Sequence, residues 1–170
     1  MTEQKQEEIF NCWLHKHKAL LFKVVRTYAF SPKDHDDLFQ EIAIQVWRSI
    51  PNFREESAVT TWLYRVSLNT AIKWTRKETK HQNGHSSFED LDHLLYEKET
   101  SNDPRLDWLY KQISKLDKVD RSITLLMLDG FSYKEISNIL GLTVSNIGVK
   151  IHRIKKHLTS LSEEFEHHEI

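Results

Sequence analysis

Near the C-terminus, Ser145, Asn146, Lys150, His152, Arg153, Lys155 and Lys156 lie opposite an apolar set of Val144, Ile147, Ile151, Ile154 and Leu158. The apolar residues recur at steps of three, four, three and four, which predicts one helix with a single apolar stripe. On its other face small polar groups come first and cations later. That order suits a helix whose first turns meet base edges while its basic residues meet phosphate. A second helix is predicted just before it. Ser132 and Glu135 have capping-box spacing, Ile136, Ile139 and Leu140 share a face, Gly141 suits a left-handed stop, Leu142 turns inward and Thr143 can cap the next helix. A solvated amphipathic pair would show a similar stripe. The short Gly-Leu-Thr turn between two capped helices favours a helix-turn-helix that reads DNA.

A different chemistry is suggested between Trp47 and Lys77, where Trp47, Arg48, Phe53, Arg54, Trp62, Tyr64, Arg65, Lys73, Trp74, Arg76 and Lys77 interleave aromatic and basic residues. A base stacked on an aromatic ring gains about 1–3 kcal/mol, and cations track the backbone, so the pattern suits single-stranded nucleic acid. Taken one at a time, Trp47, Trp62 and Trp74 are better read as core of a small helical domain. The loop Asn52-Phe53-Arg54, outside any predicted helix, is harder to assign to packing. Before it, Asp36 and Asp37 suit a helix N-terminus, but Gln40 and Glu41 lie beyond that turn and suggest a protein partner bearing cations.

Catalytic chemistry finds no support. The pairs His15/His17, His81/His85 and His167/His168 are not matched by Cys or carboxylate at metal-ligand spacing. Cys12 has no base nearby, and no glycine-rich loop could cradle a phosphate. No enzyme activity, cofactor or metal is expected.

The elements that must carry these residues are helical. With four Gly and three Pro in 170 residues, an all-α protein is expected: two small helical domains joined by an acidic linker, the second a helix-turn-helix domain. The first, 1–77, should hold helices over 7–28, from about Asp34 (as cap) to Ile50, and from Thr60 or Thr61 to Lys77, with a polar loop over 52–60. Residues 78–104 read as the linker, with a short helical turn near Leu91–Tyr96. The second domain, 105–160, should begin with a helix through Leu106, Leu109, Ile113 and Leu116. A helix through Ile123, Leu125, Leu126 and Leu128 follows, and then the helix-turn-helix. Residues 161–170 read as an acidic tail. The overall charge of −1 conceals alternating blocks. Residues 1–77 carry twelve Lys/Arg against nine Asp/Glu, 78–104 two against seven, 105–158 ten against five, and 159–170 none against four. Two basic blocks could each meet nucleic acid; the acidic block would not sit on duplex DNA. One Cys excludes an internal disulfide and suggests a reducing compartment. Apolar runs such as Ala19–Phe22 are far too short to enter a membrane, so a cytoplasmic protein without membrane insertion is expected.

Three segments, in order, resemble the extracytoplasmic-function group of bacterial sigma factors. Asp34-His-Asp-Asp-Leu-Phe-Gln-Glu-Ile-Ala-Ile-Gln-Val-Trp47 is similar to that family's Asp-x-Glu-Asp-Leu-x-Gln-Glu-x-Phe-x-x-x-Trp. Phe53-Arg-Glu-Glu-Ser57, followed by Thr61-Trp-Leu-Tyr-Arg-Val-Ser-Leu-Asn69, resembles its Phe-Arg, Ser, Thr-Trp-Leu-Tyr-Arg-Ile-Ala-x-Asn. Ile151-His-Arg-Ile-Lys-Lys-His-Leu158 resembles its Leu-His-Arg-Ala-Arg-Lys-x-Leu. The resemblance implies a factor that binds core RNA polymerase, directs it to promoters and helps melt the −10 region. It implies that Asp37, Leu38, Gln40 and Glu41 contact the clamp helices of the largest polymerase subunit. Asn52, Phe53, Arg54 and Ser57 would capture a flipped base of the −10 element. Arg65, Asn69, Lys73, Arg76 and Lys77 would bind the nontemplate strand and adjoining duplex. Ser145, Asn146, Lys150, Arg153, Lys155 and Lys156 would read or anchor the −35 element. Partners would be core polymerase, including the flap of its second-largest subunit, and promoter DNA, duplex and single-stranded. There is room for an anti-sigma factor or a separate recruiting protein.

The chain departs from the family pattern at several positions. Glu55 stands where the family usually has Gly, Val59 where it often has Phe, and Gly148 where it often has Lys. Lys150 and Lys155 replace frequent Arg, and Lys lacks the bidentate fork that reads guanine. A weak or unusual −35 contact is therefore expected, with another protein helping to position the factor. The alternatives are a helix-turn-helix regulator that acts without polymerase, or a polymerase-binding adaptor that does not read DNA.

Overall fold

The computed structural model describes residues 1–78 and 103–168. Its eight described α-helices are α1 (Glu3–Lys16), α2 (Lys18–Tyr28), α3 (Pro32–Ser49), α4 (Val59–Glu78), α5 (Pro104–Ser114), α6 (Lys118–Leu128), α7 (Tyr133–Leu140) and α8 (Val144–His168). A 3₁₀ turn, Ile50–Asn52, follows α3. No strand occurs among the described residues. Contacts divide the chain into two compact units, Met1–Asp107 and Trp108–Ile170.

In the first unit α2, α3 and α4 pack pairwise, and α1 lies against α2, α3 and the 3₁₀ turn. Leu21, Val24 and Val25 of α2, Leu38, Ile42 and Val46 of α3, and Leu63, Leu68 and Ala71 of α4 are all 1% exposed or less. Burying each larger aliphatic side chain contributes about 1.5–3 kcal/mol. The single helix expected over 7–28 is two. His17 leaves helical geometry (φ −112°, ψ 21°), and its N–H closes α1 on the Trp13 carbonyl. The break re-aims the apolar face. α1 has no fully buried residue, whereas α2 buries six of eleven. Cys12, on α1, is exposed.

The cap of α3 is Ser31, not Asp34: Ser31 Oγ accepts from the Asp34 N–H (3.1 Å), and Pro32 takes the first turn. Proline suits that position because its missing N–H has no helical acceptor there. The same logic starts α5 at Pro104. There the Asp103 carboxylate accepts from the Arg105 N–H (3.0 Å), so Pro104 opens a helix rather than closing the acidic segment. The turn expected near Leu91–Tyr96 falls outside the described residues.

The second unit is built on α6, α7 and α8, each contacting the other two. Ile123 and Leu126, Ile136 and Ile139, and Ile147, Ile151 and Ile154 form its core, with Ile113 of α5. Leu128 and Val144, expected on apolar faces, are 52% and 47% exposed. Asp117 caps α6, accepting from Val119 N (2.8 Å) and Asp120 N (3.1 Å). Residues 161–168 continue α8, because Leu161 and Phe165 prolong its three-four stripe and the Phe165 ring lies 5.4 Å from that of Trp108 on α5.

Candidate nucleic-acid and protein interfaces

The helix-turn-helix forms as its residues require. Ser132 Oγ accepts from Glu135 N (3.2 Å) while Glu135 Oε2 accepts from Ser132 N (2.7 Å), a complete capping box. Gly141 adopts φ 73°, the left-handed conformation a side chain would disfavour. Thr143 Oγ1 accepts from Asn146 N (3.1 Å) and so caps α8. Ser145, Asn146, His152, Arg153, Lys155 and Lys156 are exposed. Lys150 is not among them. Its ammonium bonds the Asp120 carboxylate of α6 (3.1 Å) with both side chains about a quarter exposed. Partial burial pushes the Asp117 carboxyl up, but N–H donation from Asp120 and Val119 and the charge of Lys150 outweigh it and hold it below the ordinary aspartate range. Lys150 therefore faces two acids at the start of α6 and ties α8 to its scaffold. Gly148 lies beneath Tyr133, where an added Cβ would sit 3.6 Å from the ring. That is ordinary van der Waals contact, so a small side chain would fit there. At the middle of the outward face stands a residue that the polar pattern hid: Val149, 48% exposed.

On α3 the residues expected to meet a protein partner divide. Asp37, Gln40 and Glu41 are half-exposed. Leu38 is fully buried, so it supports that surface from the core. Ile44, at the next turn of the same face, is 44% exposed. It escaped notice because it lies inside an apolar run, Ile42-Ala-Ile44, whose first member is core.

Asn52 ends the 3₁₀ turn and is exposed, and the loop from there to α4 carries Arg54 exposed and Ser57 half-buried. Phe53 is held differently from a free stacking platform. It packs with Trp13 and Trp62 in a triangle of rings with centroids 5.2, 5.3 and 5.4 Å apart. Its N–H bonds the Ile50 carbonyl (3.0 Å). Phe53 thus fixes the base of the loop and leaves Asn52 and Arg54 outward. Glu55 follows at φ 57°, the left-handed backbone that Gly would adopt freely, now carrying a side chain. Trp47 packs edge-on against Phe10 at 5.3 Å, and its carbonyl accepts from Gln6 Nε2 (2.7 Å). Tyr64 is core, 1% exposed. Both rings therefore leave the set of nucleic-acid platforms.

Along α4, Arg65, Asn69, Lys73 and Arg76 recur at steps of four, four and three, and all are exposed with Lys77. They form one polar, mainly basic stripe. From Arg65 to Lys77 it spans about 18 Å at helical rise. Beside it a groove of about 340 Å³ opens between α3 and α4. Its α3 wall is Glu41, Gln45 and Ser49, and its α4 wall includes Asn69, Lys73, Trp74 and Lys77. The groove brings Glu41, expected at a protein interface, beside residues expected at DNA. Among the described residues no group of three His, Cys, Asp or Glu could hold a metal ion, and no helix is long and apolar enough to cross a membrane.

Residues 13–81 match the family described as Sigma-70 region 2, and residues 106–158 match Sigma-70, region 4. Over 156 residues the chain is 29% identical to RNA polymerase sigma factor YlaC of Bacillus subtilis, covering 84% of this chain and 90% of that protein. It is 28% identical over 168 residues to the ECF RNA polymerase sigma-E factor of Escherichia coli K12, covering 91% and 87%. Among solved structures, the sigma factor RpoE of Bartonella quintana, in complex with the anti-sigma factor NepR, has the same fold. Its TM-score is 0.71 at 18% identity, covering 92% of this chain and 98% of that one. CnrH, in complex with the cytosolic domain of CnrY, follows at a TM-score of 0.65 and 21% identity, covering 93% and 90%.

Proposed function

The chain belongs to the sigma-70 family, as an extracytoplasmic-function sigma factor, and from that premise we propose how its two units divide the work of starting transcription. The protein binds core RNA polymerase and directs it to promoters. The observation that carries this reading is the pairing, in order, of a region-2 segment and a region-4 segment in one short chain. A helix-turn-helix regulator acting without polymerase would not need the first segment, and an adaptor that ignores DNA would not need the second.

The exposed part of α3, with Asp37, Gln40 and Glu41 around Ile44, meets the clamp helices of the largest subunit. The loop Asn52–Ser57 captures a flipped base, with Asn52, Arg54 and Ser57 as its polar contacts and Phe53 as its anchor. Arg65, Asn69, Lys73, Arg76 and Lys77 follow the nontemplate strand and upstream duplex. Ser145 and Asn146 reach the −35 element, with Arg153, Lys155 and Lys156 anchoring on its phosphates, while Lys150 holds the reading helix against α6. The domains divide as 1–77, an acidic connection over 78–104, and 105–160. An anti-sigma protein or a recruiter acts on the same surfaces. The supports are exposure, the shared stripe on α4 and the completed caps of the helix-turn-helix. A cytoplasmic site of action follows from the partner.

The test is reconstitution. Core polymerase and this protein are mixed, co-purified, and used for run-off transcription on promoter fragments from the host genome. Initiation dependent on the protein is expected, and Glu41→Lys should weaken assembly. Tight duplex binding without any polymerase binding would point instead to the regulator, and polymerase binding without initiation to the adaptor.

A further inference from the structure

The groove between α3 and α4 is lined by none of the residues of the loop 52–57. Its chemistry is nonetheless that of a nucleotide site. Its volume of about 340 Å³ is at the lower end of the range for small-molecule pockets and ample for one base. Val66 and Thr70 supply its floor, and the Thr70 hydroxyl is already committed to the Val66 carbonyl (2.7 Å). Trp74, half-buried, contributes an indole. Two cations, Lys73 and Lys77, stand exposed beside it on α4. On the opposite wall Gln45 Nε2 donates to Glu41 Oε1 (3.2 Å). That bond uses one donor of the amide and one acceptor of the carboxylate, and both groups have further hydrogen-bonding capacity.

We propose that this groove takes a second unpaired base of the promoter's nontemplate strand, one bearing an exocyclic amine. The ring stacks against Trp74, its amine donates to Glu41, and its backbone phosphates lie on Lys73 and Lys77. An ionised carboxylate only accepts hydrogen bonds. It suits the amines of adenine, cytosine or guanine and opposes the carbonyl oxygens of thymine. Base–aromatic stacking supplies most of the affinity, and Asn69 at the rim adds an amide edge. The site couples two tasks, since Glu41 also borders the surface proposed for polymerase: base entry and polymerase contact share one carboxylate.

The inference rests on the sigma-factor reading, and one experiment separates the two. Holoenzyme is reconstituted from core polymerase and the full chain on a promoter found by run-off transcription. The nontemplate strand carries 2-aminopurine, a fluorescent base, at each position of the melted segment in turn. With the native chain one position outside the loop-captured base should be quenched by the indole. With Trp74→Leu that position should brighten, and promoter affinity should fall about ten-fold, the loss of one stacking contact. Glu41→Gln, which puts an N–H donor on that wall, should let thymine be accepted at the same position. If Trp74→Leu holoenzyme assembles and opens the promoter with no position brightened, the groove holds no base and the proposal fails while the sigma role stands. If Trp74→Leu does not fold, Glu41→Gln decides, and undiminished discrimination against thymine in the holoenzyme it forms overturns the proposal. A native chain that neither binds core nor initiates defeats the sigma role, and the proposal with it.

Discussion

Lys150 and Arg153 sit three residues apart on one helix, yet only Arg153 is exposed. Lys150 is held by Asp120, with Asp117 close by, while Arg153 is exposed. Arg153→Ala should therefore weaken binding of a −35 duplex and reduce its salt dependence by about one phosphate contact. Lys150→Ala should leave the salt slope unchanged and lower the stability of the second unit by about 1 kcal/mol or less, the ordinary worth of a partly exposed ion pair. Fluorescence titration across a salt series distinguishes them; equal salt slopes for the two variants would count against the division. Glu55 makes a second case. A non-glycine residue in the left-handed region costs roughly 1–2 kcal/mol, so Glu55→Gly should stabilise the first unit by about 1 kcal/mol in urea unfolding. A loss of stability would mean that the side chain makes a compensating contact. Sequence comparison marks both positions as departures from the family, but which way Lys150 points depends on acids thirty residues upstream.

At the level of elements, the aromatic triangle and the caps do most to fix the candidate sites. Phe53 bonds through its N–H to the 3₁₀ turn and packs against rings from α1 and α4. Phe53→Ala should destabilise the first unit by about 2 kcal/mol, less than full-core truncation because the ring is half-buried. It should also impair promoter opening more than polymerase binding, since the loop loses its anchor. Opening assays at matched folded fraction check this, and intact opening would remove the loop from the mechanism. The cap of α6 gives a pH dependence. Asp117 has its folded pKa depressed, so its contribution is present above the ordinary carboxylate value near 3.9. It is lost as pH falls through the lower folded value. Asp117→Ala should cost about 1 kcal/mol at neutral pH, and the difference from the native chain should vanish only in strong acid. Chemical denaturation followed by circular dichroism at several pH values measures it.

For the whole molecule, the relevant fact is that each unit has its own core. Leu63→Ala in the first unit, where Leu63 is fully buried, should cost about 2–5 kcal/mol. It should lower that unit's transition and leave the amide protection of α6 to α8 unchanged. Coincident loss of protection in both units by hydrogen exchange would show a single cooperative body instead. The alternating charge blocks belong to this scale too. With an overall charge of −1 the free chain should bind DNA weakly, and the affinity should come from polymerase bound to it.

The sequence alone determined the helices, their caps at Ser132 and Thr143, the stop at Gly141 and the outward face of the reading helix, because these depend on spacing within a few residues. It also held the signal for the long last helix: Leu161 and Phe165 continue the stripe that an acidic composition obscured. It did not show that Leu38 and Tyr64 are buried or that Phe53 packs between Trp13 and Trp62, since a motif identifies a position without saying whether its side chain is buried. Tertiary structure decided those, the split at His17, the capture of Lys150 by Asp120, and the α3–α4 groove that brings Gln45 and Trp74 to one site. Each depends on which faces of separate helices meet, and that is set by packing many residues apart, where local periodicity carries no information.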